Sequence, residues 1–263
     1  MPRLIAVVFL MSNLLVAMTS QAEDLARRIP LTPIKFEQTD WPWWRGPERN
    51  GHAAPDQTPP LSWDESKNVA WKTPIPGRGH GSPTVVGNRV FLATAEEATQ
   101  IQSVLCFDRA NGTQIWKTEL HQGGFPEKSN KKATMASSSV ACDGERVFIN
   151  FLHDGAVYTT ALNLDGQQQW QTKITDYVLH QGYGSSPMPY GSMVIVSADN
   201  KAGGKVVALD RQSGKIIWEQ TRPKTPNYPS PIILKAGGRE QLFLTGCNLV
   251  SSFDPRTGEK LWE

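Results

Sequence analysis

The chain has 263 residues, a formal net charge of +2 and 39% hydrophobic residues. A charge so near balance argues against nucleic acid or an anionic surface as partner. With 22 glycines, 19 prolines and 9 tryptophans, the composition suits a turn-rich β protein better than a helical one.

Residues 1–22 differ from the rest. Arg3 supplies a positive start, residues 4–18 are almost wholly apolar, and Ser20 and Ala22 fit the small positions before a cleavage point. This pattern predicts a secretory signal peptide, and so a chain exported to the periplasm or the extracellular space. The apolar run is shorter than the ~20 residues a span requires, so no stable membrane span is expected once the signal is removed. Cys106, Cys142 and Cys247 fall in three different repeats. An odd count in an exported chain cannot be fully paired internally, and no disulfide framework is expected.

Residues 23–67 form an N-terminal arm without sustained period, carrying the cluster WPWWRGPERNGHA over residues 41–53. Trp41, Trp43 and Trp44 cannot all face water without forming a sticky patch. The arm is therefore expected to bury its rings on the following domain, with a stacking platform for a ligand as the alternative. Residues 68–75, NVAWKTPI, read as a lone outer strand whose natural partners would be the inner strands of a final blade.

From residue 68 to 263 one pattern recurs. It runs VLCFDRANGTQIWKTEL (Asp108, Gly112, Trp116), then VYTTALNLDGQQQWQTKI (Asn163, Gly166, Trp170), VVALDRQSGKIIWEQTR (Asp210, Gly214, Trp218) and VSSFDPRTGEKLWE (Asp254, Gly258, Trp262). Each Trp lies four residues after its Gly, and the copies follow one another at roughly 45 to 55 residues, the period of a four-stranded propeller blade. The fold predicted is an all-β propeller of four-stranded antiparallel blades, about four of them, as part of a ring of seven or eight. The Asp caps a turn by accepting backbone N–H groups, and the Trp fills the wedge between blades. These positions are structural before they are functional.

The repeat resembles the pyrroloquinoline-quinone (PQQ) repeat family of quinoprotein-like propellers, whose blade motif is A-x-D-x-x-(S/T)-G-x-x-x-W. Ala208, Asp210, Ser213, Gly214 and Trp218 match it in full, and the G-x-x-S-P openings at residues 79–83 and 184–187 also fit, the second one residue shorter. The resemblance implies one of two roles. One is a non-catalytic binding or scaffold module, as in BamB-type assembly factors, with a protein partner or a small ligand. The other is a PQQ-dependent oxidoreductase or a remnant of one. Such dehydrogenases hold the quinone over a disulfide of adjacent cysteines, with calcium ligated by carboxylates and amides. No adjacent cysteine pair exists in this chain, so PQQ with calcium is disfavoured and no cofactor is expected.

In a propeller, the segments entering each first strand face the central axis. They offer Arg78, His80, Lys132, His180, Tyr183 and Tyr228 as candidate ligand-binding residues, cations for an anionic group and tyrosines for stacking. His52, His80, His121, His153 and His180 never fall at a paired-ligand spacing, so no metal site is expected. No catalytic residue is assigned. Open blade edges would favour self-association.

Overall fold

The computed structural model describes residues 30–127 and 130–263; the expected signal peptide lies outside the described residues. Four antiparallel four-stranded sheets follow in chain order. The first blade is β1 (Thr84–Val86), β2 (Arg89–Glu96), β3 (Ile101–Asp108) and β4 (Gln114–Gln122), and the second is β5 (Ala141–Cys142), β6 (Arg146–His153), β7 (Ala156–Asn163) and β8 (Gln168–Asp176). The third is β9 (Met188–Tyr190), β10 (Met193–Ser197), β11 (Gly204–Asp210) and β12 (Ile216–Arg222), and the fourth is β13 (Ile232–Ala236), β14 (Arg239–Gly246), β15 (Leu249–Phe253) and β16 (Lys260–Trp262). No helix among the described residues is long and apolar enough to cross a membrane.

The middle strands read as continuous apolar runs because blades cover both of their faces. Phe91, Val104 and Cys106 of the first blade pack on Val147, Ile149 and Phe151 of the second. Phe148, Val157 and Ala161 then meet Val194, Val196 and Val207, and Ile195, Val206 and Ala208 meet Leu242, Leu244 and Phe253.

The repeat tryptophans of the first three blades lock onto the next blade rather than their own. Trp116 Nε1 donates to the Leu164 carbonyl at 2.8 Å, Trp170 to Arg211 at 3.1 Å and Trp218 to Pro255 at 3.2 Å. Their rings lie against Gly166, Gly214 and Gly258, so close that a Cβ there would sit 2.5 to 2.7 Å from ring carbons. The Thr118 and Thr172 hydroxyls add bonds to the Gly166 and Gly214 carbonyls at 2.6 and 2.7 Å. The turns are closed by the predicted carboxylates, as where Asp108 Oδ1 accepts from Ala110 N at 2.9 Å and Asp210 Oδ1 from Ser213 N at 2.7 Å.

A second ladder runs through the serines that open the blades. Ser82 N donates to Ser139 Oγ at 2.8 Å, Ser139 N to Ser186 Oγ at 3.0 Å and Ser186 N to Ser230 Oγ at 2.9 Å. One hydroxyl per blade thus satisfies a half-buried amide of its predecessor.

Residues 68–75 correct the expectation of a strand. No ladder forms there, because no strand among the described residues lies beside the segment to exchange hydrogen bonds. Trp71 nevertheless behaves as a repeat tryptophan, with Nε1 donating to the Arg109 carbonyl at 2.9 Å and its ring on Gly112. The outer side of the first blade is therefore covered. The fourth blade ends differently. Trp262 is 46% exposed, with Leu234 at 44% and Val250 at 49% on the same blade, and its Nε1 donates within that blade to Gln241 Oε1 at 3.0 Å.

Candidate functional site

Strand direction sorts the connections into two ends. The first and third turns of each blade gather at one end, and the second turns with the interblade connections at the other. The innermost strands β1, β5 and β9 neighbour one another and define the axial side.

The arm fills that axial side. Trp41 and Val85 exchange backbone hydrogen bonds at 2.7 and 2.9 Å, Cys142 N donates to the Pro42 carbonyl at 2.8 Å, and Arg49 Nη2 donates to the Pro189 carbonyl at 2.9 Å. Trp43 is buried among the second and third blades, edge-on to Phe36 at 5.1 Å and beneath the Arg49 guanidinium at 4.7 Å. Burial holds the Arg49 pKa below its usual value despite Glu240 and Glu48 nearby. The Trp-rich cluster is thus largely packing, with Trp44 left 39% exposed. The space left beside Trp43, Trp44 and Arg49 is about 10 Å³, no more than a water.

The six candidate residues do not form one site. Arg78 is exposed, bonded through its backbone to Ala95 and through Nη1 to Glu97 at 3.3 Å. His80 is exposed, its amide held by the Ala136 carbonyl at 3.0 Å. Both line a shallow cleft of about 340 Å³ on the first blade. Lys132 is exposed midway along the loop between β4 and β5. His180 Nδ1 and the Tyr228 hydroxyl lie 2.9 Å apart, and burial raises the Tyr228 pKa. Tyr183 departs from the expectation of a stacking side chain. It is buried in the core, edge-on to Tyr177 at 5.6 Å, with its hydroxyl donating to the Ser197 carbonyl at 2.9 Å and its pKa pushed up by desolvation.

At the connection end lies a cleft of about 320 Å³, within the size range of small-molecule sites. Glu97 and Gln100 come from the β2–β3 turn, Glu127, Thr134 and Met135 from the loop after β4, and Gln181 from the loop after β8.

A buried network anchors two of its walls. Gln102 Nε2 donates to the Met135 and Leu152 carbonyls at 2.7 and 3.0 Å, so its Oε1 must accept from His121 Nδ1 at 3.0 Å. His121 Nε2 then accepts from Gln171 Nε2 at 3.0 Å. The ring is stacked on His153 with centroids 4.3 Å apart, and burial together with His153 brings its pKa down to about 4. Beside His153 runs Gly124, where a Cβ would come within 3.0 Å of the ring. The sequence offered no paired spacing for these residues, which only the sheet register brings together.

A second buried group joins the third and fourth blades. Arg222 Nε donates to Asp199 Oδ1 at 3.1 Å and Nη1 to Ser251 Oγ at 2.7 Å, with both ionic side chains 1% exposed. Cys247 Sγ lies 3.4 Å from Asp199 Oδ2.

These residues do not fit PQQ with calcium held as the resemblance implies. Cys106, Cys142 and Cys247 are free and buried in separate blades, with thiol pKa values raised by desolvation to about 11, 12 and 11. Among the described residues no group of three His, Cys, Asp or Glu side chains could hold a metal.

The family profile described as outer membrane protein assembly factor BamB matches residues 56–177 and 100–263. A polyvinylalcohol dehydrogenase from Pseudomonas sp is 24% identical over 245 residues, 87% of this chain and 36% of that protein. A second, from Sphingopyxis sp. (strain 113P3), is 24% identical over 227 residues, 80% of this chain and 32% of its own length. The chain spans about a third of the length of these curated relatives. Among solved structures, BamB from Moraxella catarrhalis is similar with a TM-score of 0.52 at 15% identity, covering 73% of this chain and 54% of that one. Quinohemoprotein alcohol dehydrogenase from Comamonas testosteroni gives a TM-score of 0.60 at 15% identity, covering 93% and 44%.

Proposed function

The chain belongs to the family described as outer membrane protein assembly factor BamB, a group of PQQ-like propellers, and from that premise we propose that it acts as an exported, non-catalytic binding module. The connection-end cleft between Glu97, Gln100, Glu127 and Gln181 is its recognition surface, and a small polar ligand or a protein loop its occupant. The observation that carries this reading is an open cleft at the connection end whose walls are pinned by the His121–Gln102 network. Where the arm crosses the second and third blades at Trp43 and Arg49, by contrast, the space left is no more than a water. A preformed concavity lowers the ordering cost of binding.

A second reading, a quinoprotein oxidoreductase, is favoured by the two relatives named polyvinylalcohol dehydrogenase. One titration separates the two. The chain is mixed with PQQ and calcium, and absorbance is followed together with dye reduction on adding poly(vinyl alcohol) or a primary alcohol. The binding-module reading expects no saturable spectral change and no dye reduction. A stoichiometric change with alcohol-dependent reduction would replace it with the second. On the positive side, chain-dependent capture of an exported partner should be lost in Glu97→Lys/Gln181→Lys and kept in Trp218→Phe.

A further inference from the structure

A cleft larger than the one at the connection end lies away from that surface, at the turn end, where the arm folds over the first blade. It measures about 750 Å³, in the upper part of the range for ligand sites. Its floor is held in place by backbone and carboxylate bonds. Trp41 exchanges two backbone hydrogen bonds with Val85. Asp40 beside it is buried, with Oδ1 accepting from Gly87 N at 2.8 Å and Oδ2 from Glu37 N at 3.0 Å. The benzo ring of Trp41 packs on Gly46, whose φ is +74° and where a Cβ would sit 2.7 Å from the ring. One wall is tied to the other by Gln38 Nε2, which donates to Asp56 Oδ1 at 2.9 Å. The platform is therefore fixed by contacts that a ligand does not have to supply.

The lining is equally selective. Around Trp41 stand Gln38, Glu48, Asn50, His52, Gln57 and Arg109. All are planar polar groups, and the three amides, Gln38, Asn50 and Gln57, each carry a donor and an acceptor side by side. Carboxylates offset the one arginine, so a phosphate or other polyanion finds no cluster of cations. The apolar lining is rigid, made of Phe36, Trp41, Pro47 and Pro55 beside Val85, with no Leu, Ile or Met among it. A flat aromatic face paired with vicinal donor–acceptor groups matches a sugar ring, whose C–H face is apolar and whose equatorial hydroxyls each donate and accept. We propose that this cleft binds a neutral saccharide, with a ring stacked on Trp41 and hydroxyls met by the Gln57, Asn50 and Glu48 side chains. The inference is separate from the connection-end reading, and either can fail without the other.

Calorimetric titration of the chain with cellotetraose, xylotetraose, maltotetraose and chitotetraose, paired with saturation-transfer NMR, tests this. At least one series should saturate with a Kd of about 0.1–1 mM, the range typical of an exposed polar cleft of this kind. Glu48→Ala/Gln57→Ala alters only exposed side chains and should weaken that binding at least tenfold. Trp44→Ala, outside the cleft, should leave it unchanged. Trp41→Phe, which keeps an aromatic floor, should fall between them and guards against loss of folding in Trp41→Ala. The proposal is overturned if no series saturates by about 10 mM, if the rim variant binds like the parent, or if sulfated or phosphorylated sugars are preferred to neutral ones.

Discussion

The ring of Trp170 lies on Gly214 of the following blade while its Nε1 donates to the Arg211 carbonyl, 3.1 Å away. The indole thus serves as the bolt between the second and third blades, and Gly214 is its socket. Gly214 has a φ of +70°, and a Cβ there would sit 2.5 Å from the ring. Gly214→Ala therefore combines left-handed strain with overpacking and should cost about 2–4 kcal/mol in urea unfolding. A variant as stable as the parent would show that the ring can retreat and that the socket is loose.

The same logic separates two tryptophans with identical motif positions. Trp218 is 6% exposed and covered by the fourth blade, whereas Trp262 is 46% exposed, with no blade over it among the described residues. Trp218→Ala should cost about 3–5 kcal/mol as a buried aromatic truncation, and Trp262→Ala only about 1 kcal/mol. Thermal melts of the two variants check this, and equal losses would mean that burial by the next blade is not what the motif supplies.

Much of this architecture was legible from the residues. The Asp, Gly and Trp of each repeat act through a local turn and one neighbouring blade, so their spacing carries the information. The serine ladder was not legible in this way, since the Ser139, Ser186 and Ser230 hydroxyls each serve the preceding blade and carry no local spacing. The path of the arm was not legible. Trp41 and Pro42 pair with β1 and β5 through backbone groups, and a backbone edge has no side-chain signature. Tyr183 was misread for a related reason. The segment before β9 does enter from the axial side, but its ring turns inward because the hydroxyl finds the Ser197 carbonyl. His121 and Gln171 are fifty positions apart and meet only through the register of β4 with the second blade.

The Asp199–Arg222 pair is buried with both side chains 1% exposed, and Ser251 completes the guanidinium shell. Removing one charge strands the other, so Asp199→Asn and Arg222→Met should each cost about 3–5 kcal/mol. The double variant should lose much less than the sum of the two. A double-mutant cycle by urea unfolding measures the coupling, and additive losses would mean that the two charges do not depend on each other.

His121 predicts a specific acid sensitivity. Its folded pKa is brought down to about 4, chiefly by burial and further by His153, while an unfolded histidine titrates near 6.5. Above that value the ring is neutral in both states and its contribution is complete. Between about 6.5 and 4 the unfolded chain binds a proton that the folded chain refuses, so stability falls as the pH falls, by about 3 kcal/mol across the window. Protonation would also set an Nε2–H against the Gln171 amide, which now donates to that nitrogen. His121→Gln keeps an amide in place of the ring and cannot titrate. Urea midpoints for parent and variant at pH 5 and pH 7.5 should therefore differ in their pH dependence, with the variant flatter. Equal slopes would place the acid sensitivity elsewhere and leave the His121–His153 stack without a role in it.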